Sequence, residues 1–273
     1  MKRFVVFTLA LALAAASSFG QSVRWKKVGM DASRTGVVAS NSENVKESMG
    51  SVKGCRYTAP DGKVFKGSVR NVAKAVLAAQ PAMKDVKEAI AKSDCAMIRT
   101  APECELSDWY IDVLMSETSR LTGKKIDAGI VNHGGIRVDM PEGTVLADDI
   151  MSMFPFKNRV TIVTLKGARL REILEEMAAR KIEVIGGIRI TVKDKILVSA
   201  LVGGEPLDDG RTYNLVTIDF LLEGGDNLTL GKDAVSVDIT DMYVIDVVLP
   251  YVRNLAAQGK TISYKIDNRV TIL

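Results

Sequence analysis

Histidine is almost absent from this 273-residue sequence, which contains only His133. Zinc sites and two-metal hydrolytic centres usually take several imidazole ligands, so one histidine argues against both in this chain. Cysteine is also scarce, and the spacing of Cys55, Cys95 and Cys104 matches no metal site. An odd number of cysteines allows one disulfide and a free thiol, or no disulfide at all. For at least one of the three, a small buried side chain is the simpler interpretation.

No large excess of one charge is present either. Thirty-seven Lys and Arg face 33 Asp and Glu, a net charge of +4 that includes Lys2 and Arg3. Nucleic-acid binding therefore gets no support from charge. Charged residues make up 26% and hydrophobic residues 47%, which is ordinary for a globular protein and excludes disordered, collagen-like and coiled-coil classes.

Long apolar runs are missing as well. The longest, Phe4–Ala16, has 13 residues, too few for a membrane-spanning helix. Lys2 and Arg3 precede it and small residues follow it, a pattern typical of a secretory signal peptide over residues 1–20, with a membrane anchor as the alternative. We therefore expect export to the periplasm or secretion from a bacterium, and a polar leader over residues 21–44.

Helical spacing of apolar residues predicts several helices. Val69–Lys92 is expected to form two helices, separated at Pro81. Leu106–Arg120 has its apolar residues on one face. A fourth helix is expected to begin at Gly167, and a last long helix to cover residues 244–255. The buried stripe predicted for the helix at Gly167 is Leu170, Ile173, Leu174 and Met177.

Short β-branched runs predict strands at Ile126–Val131 and Val160–Leu165, three more between Gly187 and Asp219, and a final one at Arg269–Leu273. Helices and strands alternate in the first half, and strands cluster in the second. This order predicts a mixed α/β or α+β fold with one main sheet and flanking helices, in a domain over residues 45–273.

Four polar or glycine-rich segments fall at the ends of these elements, where sites tend to be built. Asn132-His133-Gly134-Gly135-Ile136-Arg137 follows a strand, so backbone and a guanidinium can approach a ligand, or the segment is only a tight turn. Residues 154–158 precede a strand, and Phe156 is either a core residue or a ligand-facing ring. Residues 220–227 contain a Gly-Gly turn before Asp226. The turn either directs the Asp226 carboxylate towards hydroxyl groups of a ligand or is a plain surface turn. Arg99, before a helix, is either solvated or functional.

Several motifs of other enzyme classes are missing. His133-Gly134-Gly135 is similar to an esterase oxyanion loop, but the sequence has no Gly-x-Ser-x-Gly motif. Phosphate-binding and dinucleotide-binding glycine motifs are absent too. The pairs Asp148-Asp149 and Asp208-Asp209 are better explained as caps or turns than as catalytic carboxylates. His133 has no identifiable partner, so a structural role is expected.

Together these segments resemble the C-terminal domain of the 5′-nucleotidase family. The resemblance covers residues 52–273. Within the family, the chain is similar to stand-alone exported bacterial forms that lack the metallophosphatase domain. Its motifs appear in the family's order. They are Asn132-x-Gly-Gly-Ile-Arg137, Pro155-Phe156-x-Asn158, the strand and helix around Gly167, Tyr213 to Asp219, and Phe220-x-x-x-Gly224-Gly225-Asp226.

The resemblance implies a nucleotide- or nucleoside-binding site. Phe156 and Phe220 would hold the base between their rings, and Asp226 would accept hydrogen bonds from ribose hydroxyls. Arg137 would face the phosphate or the ribose. The remaining implied site residues are Asn132 and Asn158, on the base or its loops, and Arg99, in place of a family arginine before the first helix. This sequence departs from the family at His133 and Asn227, where small residues are usual, and around Arg99, where an arginine pair is usual.

The family's catalytic half is an N-terminal dimetal domain, for which this chain has neither the histidines nor the room. The resemblance therefore implies that the chain has no catalytic residues, metal or cofactor of its own. It implies a separate metallophosphatase polypeptide that carries the divalent metals, in a shared role in nucleotide catabolism. The alternatives are a non-catalytic nucleoside-binding module and an inactive scaffold; neither a nucleic-acid polymer nor, after signal cleavage, a membrane is expected as partner.

Overall fold

The computed structural model describes residues 40–273, so the predicted signal peptide and most of the predicted leader lie outside the described residues. This part of the chain contains six α-helices and fourteen β-strands. The helices are α1 (Val45–Met49), α2 (Gly67–Ala79), α3 (Glu105–Thr122), α4 (Ala147–Met153), α5 (Gly167–Ala179) and α6 (Val244–Ala257). The strands are β1 (Ser51–Lys53), β2 (Arg56–Thr58), β3 (Val64–Phe65), β4 (Ala89–Ser93), β5 (Ala128–Val131), β6 (Gly143–Leu146), β7 (Arg159–Lys166), β8 (Val184–Gly186), β9 (Ile188–Lys193), β10 (Ile196–Val202), β11 (Glu205–Pro206), β12 (Thr212–Ile218), β13 (Ser236–Tyr243) and β14 (Val270–Ile272).

The largest sheet has five strands in the order β13-β7-β12-β5-β8. Strands β12 and β5 run parallel, and the other neighbouring pairs are antiparallel. The expected mixed α/β fold is therefore confirmed. Three smaller sheets accompany it in the described residues, with the orders β11-β10-β9-β14, β1-β2-β3 and β4-β6.

Helix α3 packs on the main sheet as its apolar stripe predicts. The Sγ of Cys104 and the hydroxyl of Ser107 cap the first turn reciprocally, and Gly123, in the left-handed conformation, ends the helix. Ile111 presses against β5: a Cβ on Gly129 would lie 2.7 Å from its Cδ1. Glycine at that position lets the helix approach the sheet closely.

Helix α5 also matches its prediction. Its four predicted stripe residues are all at most 1% exposed. Gly167 starts the helix against the Asp208 turn, where a Cβ would lie 1.9 Å from the Asp208 carbonyl oxygen. The acidic pairs act locally, as expected: the Asp149 carboxylate accepts from the Leu146 N–H at 2.7 Å, and Asp208 accepts from the Gly210 N–H at 2.9 Å.

One helix prediction is wrong. Only the first of the two helices expected in Val69–Lys92 exists, as α2; the short 3₁₀ turn Gln80–Met83 follows it, and residues 89–93 form β4. Alanine and lysine in this segment favour a helix, but pairing with β6 buries Ile90 and Ala91 and overrides that preference. Strands β6, β8 and β13 were not predicted, and four strands rather than the expected three lie between Gly187 and Asp219. The three cysteines are free thiols, and Cys104 is buried, as expected for at least one of them.

Candidate nucleotide-binding site

Three of the four singled-out segments meet at one edge of the five-stranded sheet. Strands β5 and β12 are parallel neighbours, so the loops after them leave the sheet at the same edge. Strand β7 is antiparallel to β12, and Val160 near its start pairs with Ile218 at the end of β12. The loop before β7 therefore joins the other two, although the three segments are far apart in sequence.

A pocket of about 220 Å³ lies between these loops. It is lined by Asn132, Gly134, Gly135, Arg137, Phe156, Asn158, Phe220 and Asp226. The structure thus brings together six of the seven site residues predicted from the sequence.

Arg99 is the exception, since it is not among the residues that line this pocket. Its backbone N–H donates to the Asp139 carboxylate at 2.8 Å, and its guanidinium donates to the Ile136 carbonyl oxygen. In this structure Arg99 therefore supports the loop that carries Arg137 from outside the pocket.

Two large aromatic rings at the pocket are open to solvent. Phe156 is 45% and Phe220 49% exposed, whereas Phe154, two residues earlier, is buried with its ring centroid 4.5 Å from that of Tyr110. Phe154 is the core residue of this segment, and Phe156 points outward. Gly225 makes room for the second ring, because a Cβ there would lie 2.7 Å from Phe220 Cε1.

Arg137 covers part of the Phe156 ring. Its guanidinium carbon lies 5.5 Å from the ring centroid, within cation–π range. The same side chain donates to the Gly134 carbonyl oxygen at 3.1 Å. A positive charge is thereby held at the rim of the pocket, where it can meet an anionic group of a ligand.

Asp226 projects from a strained turn. Its φ is +46°, in the left-handed region that non-glycine residues seldom adopt, and Gly224 before it has a φ of +111°. The Asp226 carboxylate accepts a hydrogen bond of 2.6 Å from Nδ2 of Asn132, which is 5% exposed. Asn132 thus ties the loop after β5 to the loop after β12.

The two glycines of the Asn132 loop leave space for that pair. A Cβ on Gly135 would lie 2.9 Å from Asn132 Oδ1, and one on Gly134 would lie 3.3 Å from Asp226 Oδ2. The first distance is shorter than a real side chain allows without movement. The Gly-Gly sequence is therefore explained by the approach of the Asn132 amide rather than by a turn alone.

Glu183 anchors the same loop from behind, and sequence reasoning missed it. It is 1% exposed, accepts from the His133 N–H at 2.7 Å, and forms an ion pair with Lys181. The signal that could have revealed it is a single carboxylate beside the apolar strand β8. His133 itself is buried, its Nε2 donates to the Pro102 carbonyl at 3.1 Å, and burial lowers its pKa, which favours the neutral ring.

The described residues offer one cluster of possible metal ligands, formed by Glu103, Asp108 and Asp267. Arg269 already supplies a cation there, at 2.8 Å from Asp267 and 3.7 Å from Asp108. Asp108 is 2% exposed, and burial raises its pKa to about 8 despite the nearby Arg269. These groups are better explained as a clasp that fastens the chain before β14 to the start of α3.

Comparison with known proteins identifies the family. The family model described as "5′-nucleotidase, C-terminal domain" matches residues 86–233. This chain belongs to that family. The matched segment of the 5′-nucleotidase C-terminal domain contains all seven predicted site residues and the whole pocket lining.

Curated relatives of this 5′-nucleotidase C-terminal domain are longer proteins. An apyrase of Tabanus yao is 26% identical over 54% of this chain and 32% of its own length. A 5′-nucleotidase of Vibrio cholerae is 28% identical over 37% of this chain and 19% of its own length. The chain therefore spans a third or less of the length of these relatives.

Solved structures share the fold. A 5′-nucleotidase precursor from Thermus thermophilus aligns with a TM-score of 0.65 at 22% identity, over 79% of this chain and 45% of the other. An NAD nucleotidase from Haemophilus influenzae aligns with a TM-score of 0.56 at 17% identity, over 80% of this chain and 48% of the other. At these identities the likeness concerns the fold alone.

Proposed function

We propose that this chain is the nucleotide-recognition part of a 5′-nucleotidase system and takes part in nucleotide catabolism with a separate metallophosphatase polypeptide. The observation that carries the proposal is the placement of Phe156 and Phe220, two exposed rings from different loops on one pocket. Exposed aromatic rings at a pocket favour a ligand with a flat π-face, which a nucleobase provides.

The polar groups of the pocket complement the rest of a nucleoside. In this proposal Asp226 accepts from the ribose hydroxyls while Asn132 orients its carboxylate through the 2.6 Å hydrogen bond. Asn158 contacts the base or holds its loop, and Arg137 meets the phosphoryl group. A volume of about 220 Å³ is below the usual range for complete enclosure of a ligand, so the phosphoryl group is expected to project outward.

Hydrolysis is assigned to the partner. The only histidine of the chain, His133, is buried and hydrogen-bonded to the Pro102 carbonyl oxygen. It is therefore not available as a general base at the pocket. The divalent metals that would activate a water molecule are proposed to belong to the partner polypeptide, with no cofactor in this chain. Sequestration of the base and ribose here would present the phosphate to that centre.

The proposed compartment is the bacterial periplasm or the exterior. It rests on Lys2, Arg3 and the apolar run at residues 4–16, which lie outside the described residues. In residues 40–273, no helix combines the length and apolar character needed to span a membrane.

Calorimetric titration of the chain with adenosine, AMP and ribose 5-phosphate tests the binding part of the proposal. Adenosine and AMP are both expected to bind because both present the base and the ribose, and AMP is expected to bind more tightly because Arg137 meets its phosphoryl group. Ribose 5-phosphate is expected to bind at least about tenfold more weakly, since it lacks the stacked base. Equal binding of ribose 5-phosphate, or no binding of adenosine, would overturn it.

A further inference from the structure

Helix α2 exposes an apolar stripe that nothing in the described residues covers. Val69, Val72 and Val76 are three and four residues apart, which places them on one helix face. They are 47%, 63% and 40% exposed, and none of the 13 residues of α2 is buried. A row of exposed valines on a surface helix is typical of an interaction site.

This stripe is distinct from the face that α2 uses within the fold. Ala73 and Leu77 are half-buried, and Arg70 donates through its guanidinium to the Gly54 carbonyl between β1 and β2. These contacts fasten α2 to its own small sheet. The valines lie to one side of these contacts and remain exposed within residues 40–273.

The segment that carries the stripe is basic in its sequence. Residues 51–85, which contain β1 to β3 and α2, have seven basic and two acidic side chains, a net charge of +5. The basic residues are Lys53, Arg56, Lys63, Lys66, Arg70, Lys74 and Lys84, and the acidic ones are Asp61 and Asp85.

Charge disfavours two occupants that the chain itself could provide. A second copy would bring the same net charge of +5 to the contact. Residues 21–39 contain Arg24, Lys26, Lys27 and Arg34 against Asp31, a net charge of +3. Either occupant would be repelled over the short distances at which surface charges act.

The side chains of the stripe also distinguish a protein from a lipid surface. Helices that lie in a membrane interface insert bulky Trp, Phe and Leu side chains. The stripe of α2 has only valine, and the one leucine of the helix, Leu77, is half-buried. A valine stripe on a basic segment fits the apolar ridge of an acidic polypeptide.

We propose that the valine stripe of α2 docks an acidic polypeptide. The identity of that polypeptide as the separate metallophosphatase rests on the proposed function. Its acidic and apolar character is inferred from the surface itself. The charge of the segment steers the partner towards the stripe, and the valines supply the apolar contact.

The test uses two synthetic amphipathic helical peptides with the same leucine ridge, one flanked by glutamates and the other by lysines. Binding to the whole exported chain is measured by fluorescence anisotropy, for the native protein, Val72→Asp and Val198→Asp. Val198 is a matched control because it is 57% exposed on β10, away from α2 in sequence. The glutamate peptide is expected to bind at least about tenfold more tightly than the lysine peptide, and Val72→Asp to lose about tenfold while Val198→Asp does not.

Other results would overturn the proposal. Equal binding of both peptides, no binding of the glutamate peptide, or an equal loss of peptide affinity in Val72→Asp and Val198→Asp would each do so. A lipid partner would be indicated if the chain pelleted with phosphatidylglycerol vesicles and Val72→Asp abolished the pelleting. A second copy would be indicated if the chain self-associated in ultracentrifugation and Val72→Asp abolished the association. Adenosine titration of the same three proteins separates this test from the proposed function. Adenosine affinity should be unchanged in Val72→Asp. If the native chain does not bind adenosine at all, the proposed function is refuted but the docking surface is not.

Discussion

Nδ2 of Asn132 donates a 2.6 Å hydrogen bond to the Asp226 carboxylate, although the two residues are 94 positions apart in the sequence. The bond joins the loop after β5 to the loop after β12. It fixes the position of one carboxylate oxygen of Asp226. Because the carboxylate is planar, the position of the other oxygen is restricted as well. In the proposed function, binding of a ribose diol depends on both residues, and their contributions can be separated by substitution.

Asp226→Ala should weaken adenosine binding by about 10- to 150-fold, because hydrogen bonds to a charged group contribute about 1.5–3 kcal/mol. The variant also leaves the buried Asn132 amide unpaired, so a loss of about 1 kcal/mol in the free energy of unfolding is expected. Calorimetry and urea unfolding measure the two effects.

Asp226→Asn is the matched control, since its amide oxygen can still accept from Asn132. It should keep native stability but bind adenosine more weakly than the native chain. The 2′,3′-dideoxy analogue should bind the native protein weakly and be insensitive to either substitution. If adenosine and its dideoxy analogue lose affinity equally in Asp226→Ala, the carboxylate serves the turn and not the ribose.

Gly135→Ala should weaken adenosine binding without unfolding the protein. Its Cβ would lie 2.9 Å from Asn132 Oδ1, so the Asn132 side chain must shift, and its 2.6 Å hydrogen bond to Asp226 is expected to be disturbed. Gly210→Ala is the control, because the added Cβ would meet only Asp208 Oδ1 at 3.5 Å, an ordinary contact. Calorimetry on both variants checks this, and equal affinity in the two would contradict the role assigned to the Asn132–Asp226 pair.

Asp108 should make the protein less stable as pH rises. Burial raises its native pKa to about 8, whereas an unfolded aspartate titrates near 3.9. The native state therefore binds the extra proton between these values, and the free energy of unfolding falls as pH rises through this range. Above pH 8 this contribution is lost.

Asp108→Asn should flatten that pH dependence. Urea unfolding at several pH values from 5 to 8.5 compares it with the native protein and with Asp238→Asn, which alters only an exposed ion pair with Lys124. Asp238→Asn is expected to follow the native slope. Identical slopes for all three proteins would show that Asp108 is ionised in the native state.

The purified chain alone is expected to release no phosphate from AMP, with or without added divalent cations. Its single histidine is buried against Pro102, and the carboxylates Glu103, Asp108 and Asp267 are already engaged with Arg269 or the backbone before β14. A sensitive phosphate assay on protein purified by two independent routes checks this. Metal-dependent turnover that persists through both routes would refute the division of labour proposed here.

The parts of the fold that follow local patterns could be predicted from the sequence. Helix α5 has a stripe at regular spacing, and the same stripe is buried. The helix prediction for residues 89–93 was wrong because alanine and lysine favour a helix, and pairing with a distant strand overrides that preference. Local patterns do not contain that information.

The candidate site was predictable to a similar extent. Glycine pairs and aromatic residues next to predicted strand ends, together with the family resemblance, pointed to Phe156, Phe220 and Asp226, which line one pocket. Glu183 was missed because its contact, the His133 N–H, lies 50 residues away and has no sequence signature. The position of Arg99 beside Ile136 likewise depends on tertiary packing. The ligand roles of these residues remain predictions.

A crystal structure of the chain with adenosine is the most direct test of the proposed recognition site. We expect the adenine ring between Phe156 and Phe220, with its centroid within about 5 Å of both ring centroids and the ribose hydroxyls on Asp226. Adenosine bound at another surface, or in this pocket with neither phenyl ring stacked on the base, would contradict it.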